Sequence, residues 1–106
     1  MYLILTVQHV ENGHYRLGMS QPNQNQILPN LLGQNIFINL PNLEQYEVQH
    51  QTFFDYGNLI NVTISDWIVM MGYHQYPEGN PTKLIFKLEG NIFTYYIYQA
   101  HWPLHI

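Results

Sequence analysis

The residues best able to do chemistry in this chain are six histidines: His9, His14, His50, His74, His101 and His105. Imidazole changes charge near neutral pH and is a ready ligand for zinc, iron or nickel. Three potential ligands crowd one segment, His9, Glu11 and His14. Between them, Asn12-Gly13 is a strong signal for a two-residue type I′ turn, whose central positions both need φ > 0. A hairpin closed there pairs Glu11 with His14, Val10 with Tyr15, His9 with Arg16 and Gln8 with Leu17. His9, Glu11, His14 and Arg16 then share the hairpin tip, and a His-Glu-His set suits a divalent ion. The Arg16 guanidinium in the same group repels a second cation, and no His-x-His pair is followed by a spaced Glu. The expectation is a solvated, salt-bridged tip that binds no metal.

Other catalytic arrangements are weaker. His101 and His105 have helical spacing, but Pro103 between them spoils a regular helix. Trp102 and Leu104 are expected to pack that tail onto the body or onto a neighbouring subunit. Serine occurs only at Ser20 and Ser65, neither in a Gly-x-Ser-x-Gly elbow. Cysteine is absent, which removes disulfides, thiolate nucleophiles and Cys-ligated zinc together. Glu44, Glu47 and Asp66 offer carboxylate pairs of no distinctive spacing. No phosphate-cradling glycine loop exists. The chain reads as a non-enzyme with no cofactor.

Composition narrows the partners. Formal net charge is −4, and the basic residues are Arg16, Lys83 and Lys87 alone. Binding to a phosphate backbone needs several cations on one face, so nucleic acid is an unexpected partner and so is an anionic membrane. Charged residues make up 9%, and eleven Asn and ten Gln carry the polarity instead. An amide surface repels its neighbours weakly and leaves more area open to protein contact. Biased codon usage is the competing explanation. The lack of disulfides points to a cytoplasmic home. Tyr2 to Val7 is too short and too poorly flanked for a signal peptide, and no run reaches membrane-spanning length. Asn61-Val62-Thr63 matches a glycosylation acceptor, expected here to be unused.

Hydrophobic periodicity supplies the elements that would hold these residues. A strand at 2–10 and its partner to Met19 are followed by an aperiodic, amide-rich stretch at 20–34. That stretch reads as a loop with one helical turn, since Pro29 breaks it and Gly33 closes it. Ile36 to Leu40 is a short strand, and 42–45 allows a helical turn. Tyr46, Val48, Thr52, Phe53 and Phe54 favour a strand at 46–54. Asp55 to Asn58 is a turn, Leu59 to Ile64 a strand, and Trp67 to Met71 a buried strand in preference to a helix. The final hairpin spans 82–99. Its two-residue loop, Gly90-Asn91, places Leu88 opposite Phe93, Phe86 opposite Tyr95 and Leu84 opposite Ile97, all on one face.

The result is a single all-β domain over residues 1–106. It is an antiparallel β-sandwich or small barrel of about eight short strands, with an α+β fold as the alternative. Nine tyrosines exceed what a core of this size needs. The second face of the last hairpin carries Ile85, Tyr96 and Tyr98 beside Lys83 and Lys87. Such a tyrosine-rich, lysine-fringed face suits an interface, because a rigid amphipathic ring buries area at low entropy cost. The alternative is that the 20–34 loop covers it. The function expected is therefore a protein-binding module, in the manner of a small inhibitor, immunity or adaptor protein. It would dock on a partner protein or pair with a second copy as a homodimer. A carbohydrate- or ligand-binding module would instead show a concave pocket lined by Trp67, Tyr73 and Tyr76. A His-dependent metalloenzyme would show clustered histidines.

Overall fold

The computed structural model describes residues 1–48 and 50–101. Among these, seven strands form one sheet: β1 (Tyr2–His9), β2 (Tyr15–Met19), β3 (Phe37–Asn39), β4 (Tyr46–Glu47), β5 (Asn58–Leu59), β6 (Lys83–Glu89) and β7 (Ile92–Tyr98). The spatial order is β4-β3-β7-β6-β1-β2-β5. Every pairing is antiparallel except β3 with β7, and the mixed sheet curls into a half-barrel. Three helices accompany it: α1 (Gln21–Leu31), α2 (His50–Tyr56) and α3 (Val62–Met70). The chain is strand-rich but not all-β. It is nearer to the α+β alternative than to a sandwich. The expected tail packing and His105 fall outside the described residues, which leave out 102–106 and Gln49.

Each helix corrects an expectation for a physical reason. The 20–34 stretch carries overlooked start signals. The Asn23 N–H donates to Ser20 Oγ at 3.4 Å and Pro22 sits in the first turn. Ile27 and Leu31, four residues apart, are buried on one side. Pro29 lies in the last turn, where the missing N–H costs one bond at the end of a short helix. The expected strand at 46–54 survives only as Tyr46–Glu47. Residues 50–56 are helical, and Gly57 at φ +66° ends the helix by donating its N–H to the Phe53 carbonyl at 2.8 Å. The β-branched run from Val62 is helical because the Asn61 side chain caps it, accepting from the Ile64 N–H at 2.7 Å. Ile64, Trp67 and Ile68 are buried at helical spacing, while Val62, Val69 and Met70 are exposed. Strand preference by residue type loses there to a capped helix that has a core face to fill.

The core lies on one face of the sheet. Leu3, Leu5 and Val7 of β1, Leu17 of β2, Leu84 and Phe86 of β6 and Phe93 of β7 form a single cluster with buried side chains of all three helices. None of the helices among the described residues is long and apolar enough to cross a membrane.

Both hairpins turn where expected, yet each carries one extra residue. Asn12 (φ 59°) and Gly13 (φ 74°) form the β1–β2 turn, and the His14 N–H donates to the Glu11 carbonyl. The Val10 N–H then bonds the His14 carbonyl at 2.7 Å, so Val10 and Glu11 together oppose His14. The ladder resumes one residue off the expected register: His9 faces Tyr15, Gln8 faces Arg16 and Val7 faces Leu17. Opposed residues share a face, so the expected pairing would have set buried Leu17 beside Gln8. Burial of Leu17 with Val7 overrides the turn. In the last hairpin Leu88 faces Phe93 and Phe86 faces Tyr95, as expected. A shift then follows, and Leu84 faces Tyr98 while Ile85 faces Ile97. Tyr96 is the extra residue of this bulge.

Candidate functional site

The bulge at Tyr96 separates two residues expected on one face. Tyr98 joins the helix side, opposite Leu84, with its ring stacked on Tyr73 at 5.5 Å and 4° between planes. Tyr73 in turn packs edge-on against Trp67, and its phenol oxygen lies 2.7 Å from that of Tyr95. Burial, then the hydrogen bond and charge of Tyr73, hold the Tyr95 phenol well above its ordinary pKa. Trp67 is 1% exposed. So buried a ring has almost no surface to offer a ligand in the expected Trp67-Tyr73-Tyr76 pocket. Trp67 and Tyr73 instead belong to an aromatic cluster inside the fold.

On the opposite side of the sheet a different surface takes shape. Ile4, Ile85 and Ile97 form one row across β1, β6 and β7. Ile85 is only 5% exposed although it is no part of the helix-side core. Ile4 remains 39% exposed, Tyr2 46% and Tyr96 52%. The Tyr2 and Tyr96 rings meet edge-on at 5.1 Å, and Lys87 Nζ sits 5.9 Å from the Tyr2 ring centre. Because of the bulge, Tyr96 and Ile97 both face outward, which gives this side one more large side chain than strict alternation allows. Of the five residues proposed from sequence, the structure brings Ile85, Tyr96, Lys83 and Lys87 onto this face and leaves Tyr98 on the other.

Along β1 the same face is hollowed into a groove of about 500 Å³ whose lining includes Tyr2, Ile4, Thr6, Gln8, Gly18 and Lys83. Gly18 keeps one end low. A Cβ there would fall about 2.4 Å from Gln8 Nε2, so the Gln8 side chain occupies the space a side chain at 18 would need. Gln8 also accepts a 3.0 Å hydrogen bond from Arg16 Nε. Tyr2, Ile4 and Arg16 were missed by sequence reasoning. The alternation of 2–10 could have found the first two, and a correct register the third.

The hairpin-tip cluster does not assemble as expected. Arg16 bonds Gln8, and His9 meets the Tyr15 ring at 5.3 Å. Among the described residues, no three His, Asp or Glu side chains are grouped to hold a metal ion. Asn61 of the glycosylation triplet caps α3 through Oδ1 and donates from Nδ2 to the Glu47 carbonyl at 3.4 Å.

A second concavity of about 390 Å³ lies at the end of β6 and β7. Gln75, Tyr76, Asn80, Thr82, Lys83, Tyr98 and Gln99 are among its lining residues. Comparison with protein-family models, with curated proteins and with solved structures finds no match to this chain.

Proposed function

We propose that this protein is a non-enzymatic binding module that docks on another protein through the open face of its sheet. The observation that carries the reading is the Ile4–Ile85–Ile97 row with Tyr2 and Tyr96 on it, on the side away from all three helices. Large exposed apolar side chains gathered in one place, rimmed by polar groups, are characteristic of interaction sites. Aromatic anchors beside lysines add the composition of an interface centre and rim. Docking would act by occlusion or by scaffolding, with no bond made or broken. The test is quantitative capture from an extract of the native host by the unmodified protein and by Tyr96→Asp, with circular dichroism to confirm that both are folded. Proteins captured by the first and lost from the second are expected. Indistinguishable captured sets would refute the reading. Pairing with a second copy is the same surface used differently, and light scattering at high micromolar concentration reports it.

The cleft at Tyr76 and Tyr98 favours a second reading, a small polyhydroxylated ligand such as a sugar. Its volume falls in the range of ligand sites. Tyrosine rings and amide side chains are the groups that stack on and hydrogen-bond a neutral sugar. Ligand-observed NMR with a panel of mono- and disaccharides tests it, and signals unchanged by Tyr76→Ala would remove it.

A further inference from the structure

The register assigns every basic residue of the chain to the open face. Arg16 opposes Gln8, Lys83 opposes Thr6 and Lys87 opposes Tyr2, each pair on the side away from the core. Among the strand residues, the acidic ones on that side are Glu47 and Glu89, and Glu89 lies 3.5 Å from Lys87. Asp55 and Asp66 lie on α2 and α3, across the sheet. A chain of net charge −4 thus places its lysines and arginine around the exposed Ile4, Tyr2 and Tyr96. Lys83 and Lys87 flank Ile85, four residues and about 13 Å of strand apart.

We infer that the docking partner presents carboxylates around an apolar side chain, so that acidic residues meet Lys83, Lys87 and Arg16 while the apolar group covers Ile4, Tyr2 and Tyr96. This rests on the docking reading and goes further, since it states the partner's chemistry. Charge complementarity of this kind selects partners and raises the rate of encounter more than it adds raw affinity. A two-fold pairing of this face with itself is disfavoured by the same observation. It brings the cations of one copy towards those of the other. A nucleic acid would need more phosphate contacts than three separated cations provide, and Glu47 and Glu89 on the same face repel it.

The experiment uses synthetic peptides with a Leu-Phe centre flanked on both sides by Glu, by Gln or by Lys, with binding to the full chain read by fluorescence anisotropy. At about 20 mM salt the Glu peptide should bind at least about tenfold tighter than the Gln peptide, and the Lys peptide more weakly than either. The advantage should vanish at about 300 mM salt, where screening is stronger, and in the Lys83→Glu/Lys87→Glu variant. Tyr96→Asp should weaken the Glu peptide as well. Equal affinity for the three peptides, no binding of any, or tighter binding of a single-stranded oligothymidine than of the Glu peptide would overturn the inference. Host capture separates the two claims. If Tyr96→Asp abolishes capture while the double lysine variant retains it, docking stands and the acidic partner falls. If neither variant changes capture, the docking reading itself has failed.

Discussion

The phenol oxygens of Tyr73 and Tyr95 lie 2.7 Å apart beneath the β6–β7 ladder, with Trp67 packed edge-on against both rings. Burial and that bond favour the neutral Tyr95 phenol, so its pKa is raised in the folded state. An unfolded tyrosine titrates near 10. The stability contributed by the neutral form is therefore complete below about pH 10 and is lost as the pH rises from there towards the folded value. Urea midpoints measured from pH 8 to 11 should fall on the alkaline side. Tyr95→Phe should flatten that fall, whereas Tyr56→Phe, at an exposed site, should leave it unchanged.

Tyr96 and Tyr98 should respond unequally to the same change. Tyr98→Glu sets a charge against Leu84 and Tyr73, and is expected to destabilise by about 2–4 kcal/mol. Tyr96→Glu alters an exposed bulge position and gives up the edge-on contact with Tyr2, and should cost about 1 kcal/mol. Chemical denaturation of both variants checks the pair. Equal losses would mean that the bulge does not divide the two rings between faces.

Gly57 and Gly90 both adopt positive φ, +66° and +60°, but their surroundings differ. Gly90→Ala meets nothing within 4 Å and should lose about 1 kcal/mol from backbone strain alone. Gly57→Ala also drives a Cβ to 2.5 Å from Gln24 Cδ. The displaced amide gives up its 2.9 Å bond to the Met19 carbonyl, for a total of about 2 kcal/mol. Thermal unfolding of the two variants should rank them in that order.

Removing the α3 cap is a local test of why the β-branched run is helical. Asn61→Ala leaves the Ile64 N–H without its 2.7 Å partner and should cost about 1 kcal/mol. Asn61→Asp keeps the acceptor and gives up only the long 3.4 Å donation to the Glu47 carbonyl, so it should lose less than Asn61→Ala. Denaturant midpoints measure both, and equal losses would assign the effect of Asn61→Ala to something other than the cap.

Much of this architecture is readable from local chemistry. Asn12-Gly13 and Gly90-Asn91 mark their turns because few residues accept positive φ, and that constraint acts over a few residues only. The Leu88–Phe93 and Phe86–Tyr95 pairs follow from the second turn by counting. Ile85, Lys83 and Lys87 follow from alternation along β6.

The helices and the faces needed the whole molecule. Phe53 and Phe54, or Ile64 and Trp67, suit a strand or a helix by type alone. Helix prevails because caps at Asn61 and Gly57 close short segments whose apolar sides fill the space over the sheet. The two single-residue shifts were equally hidden. The first occurs because Leu17 must be buried with Val7, the second because Tyr98 stacks on Tyr73, which lies twenty-five positions away in the chain. The sequence alone determined where the two hairpins turn and that no cysteine is there to react. Tertiary packing decided which side of the sheet each ring and each cation occupies, since a one-residue slip reverses every face and only distant contacts can choose between registers.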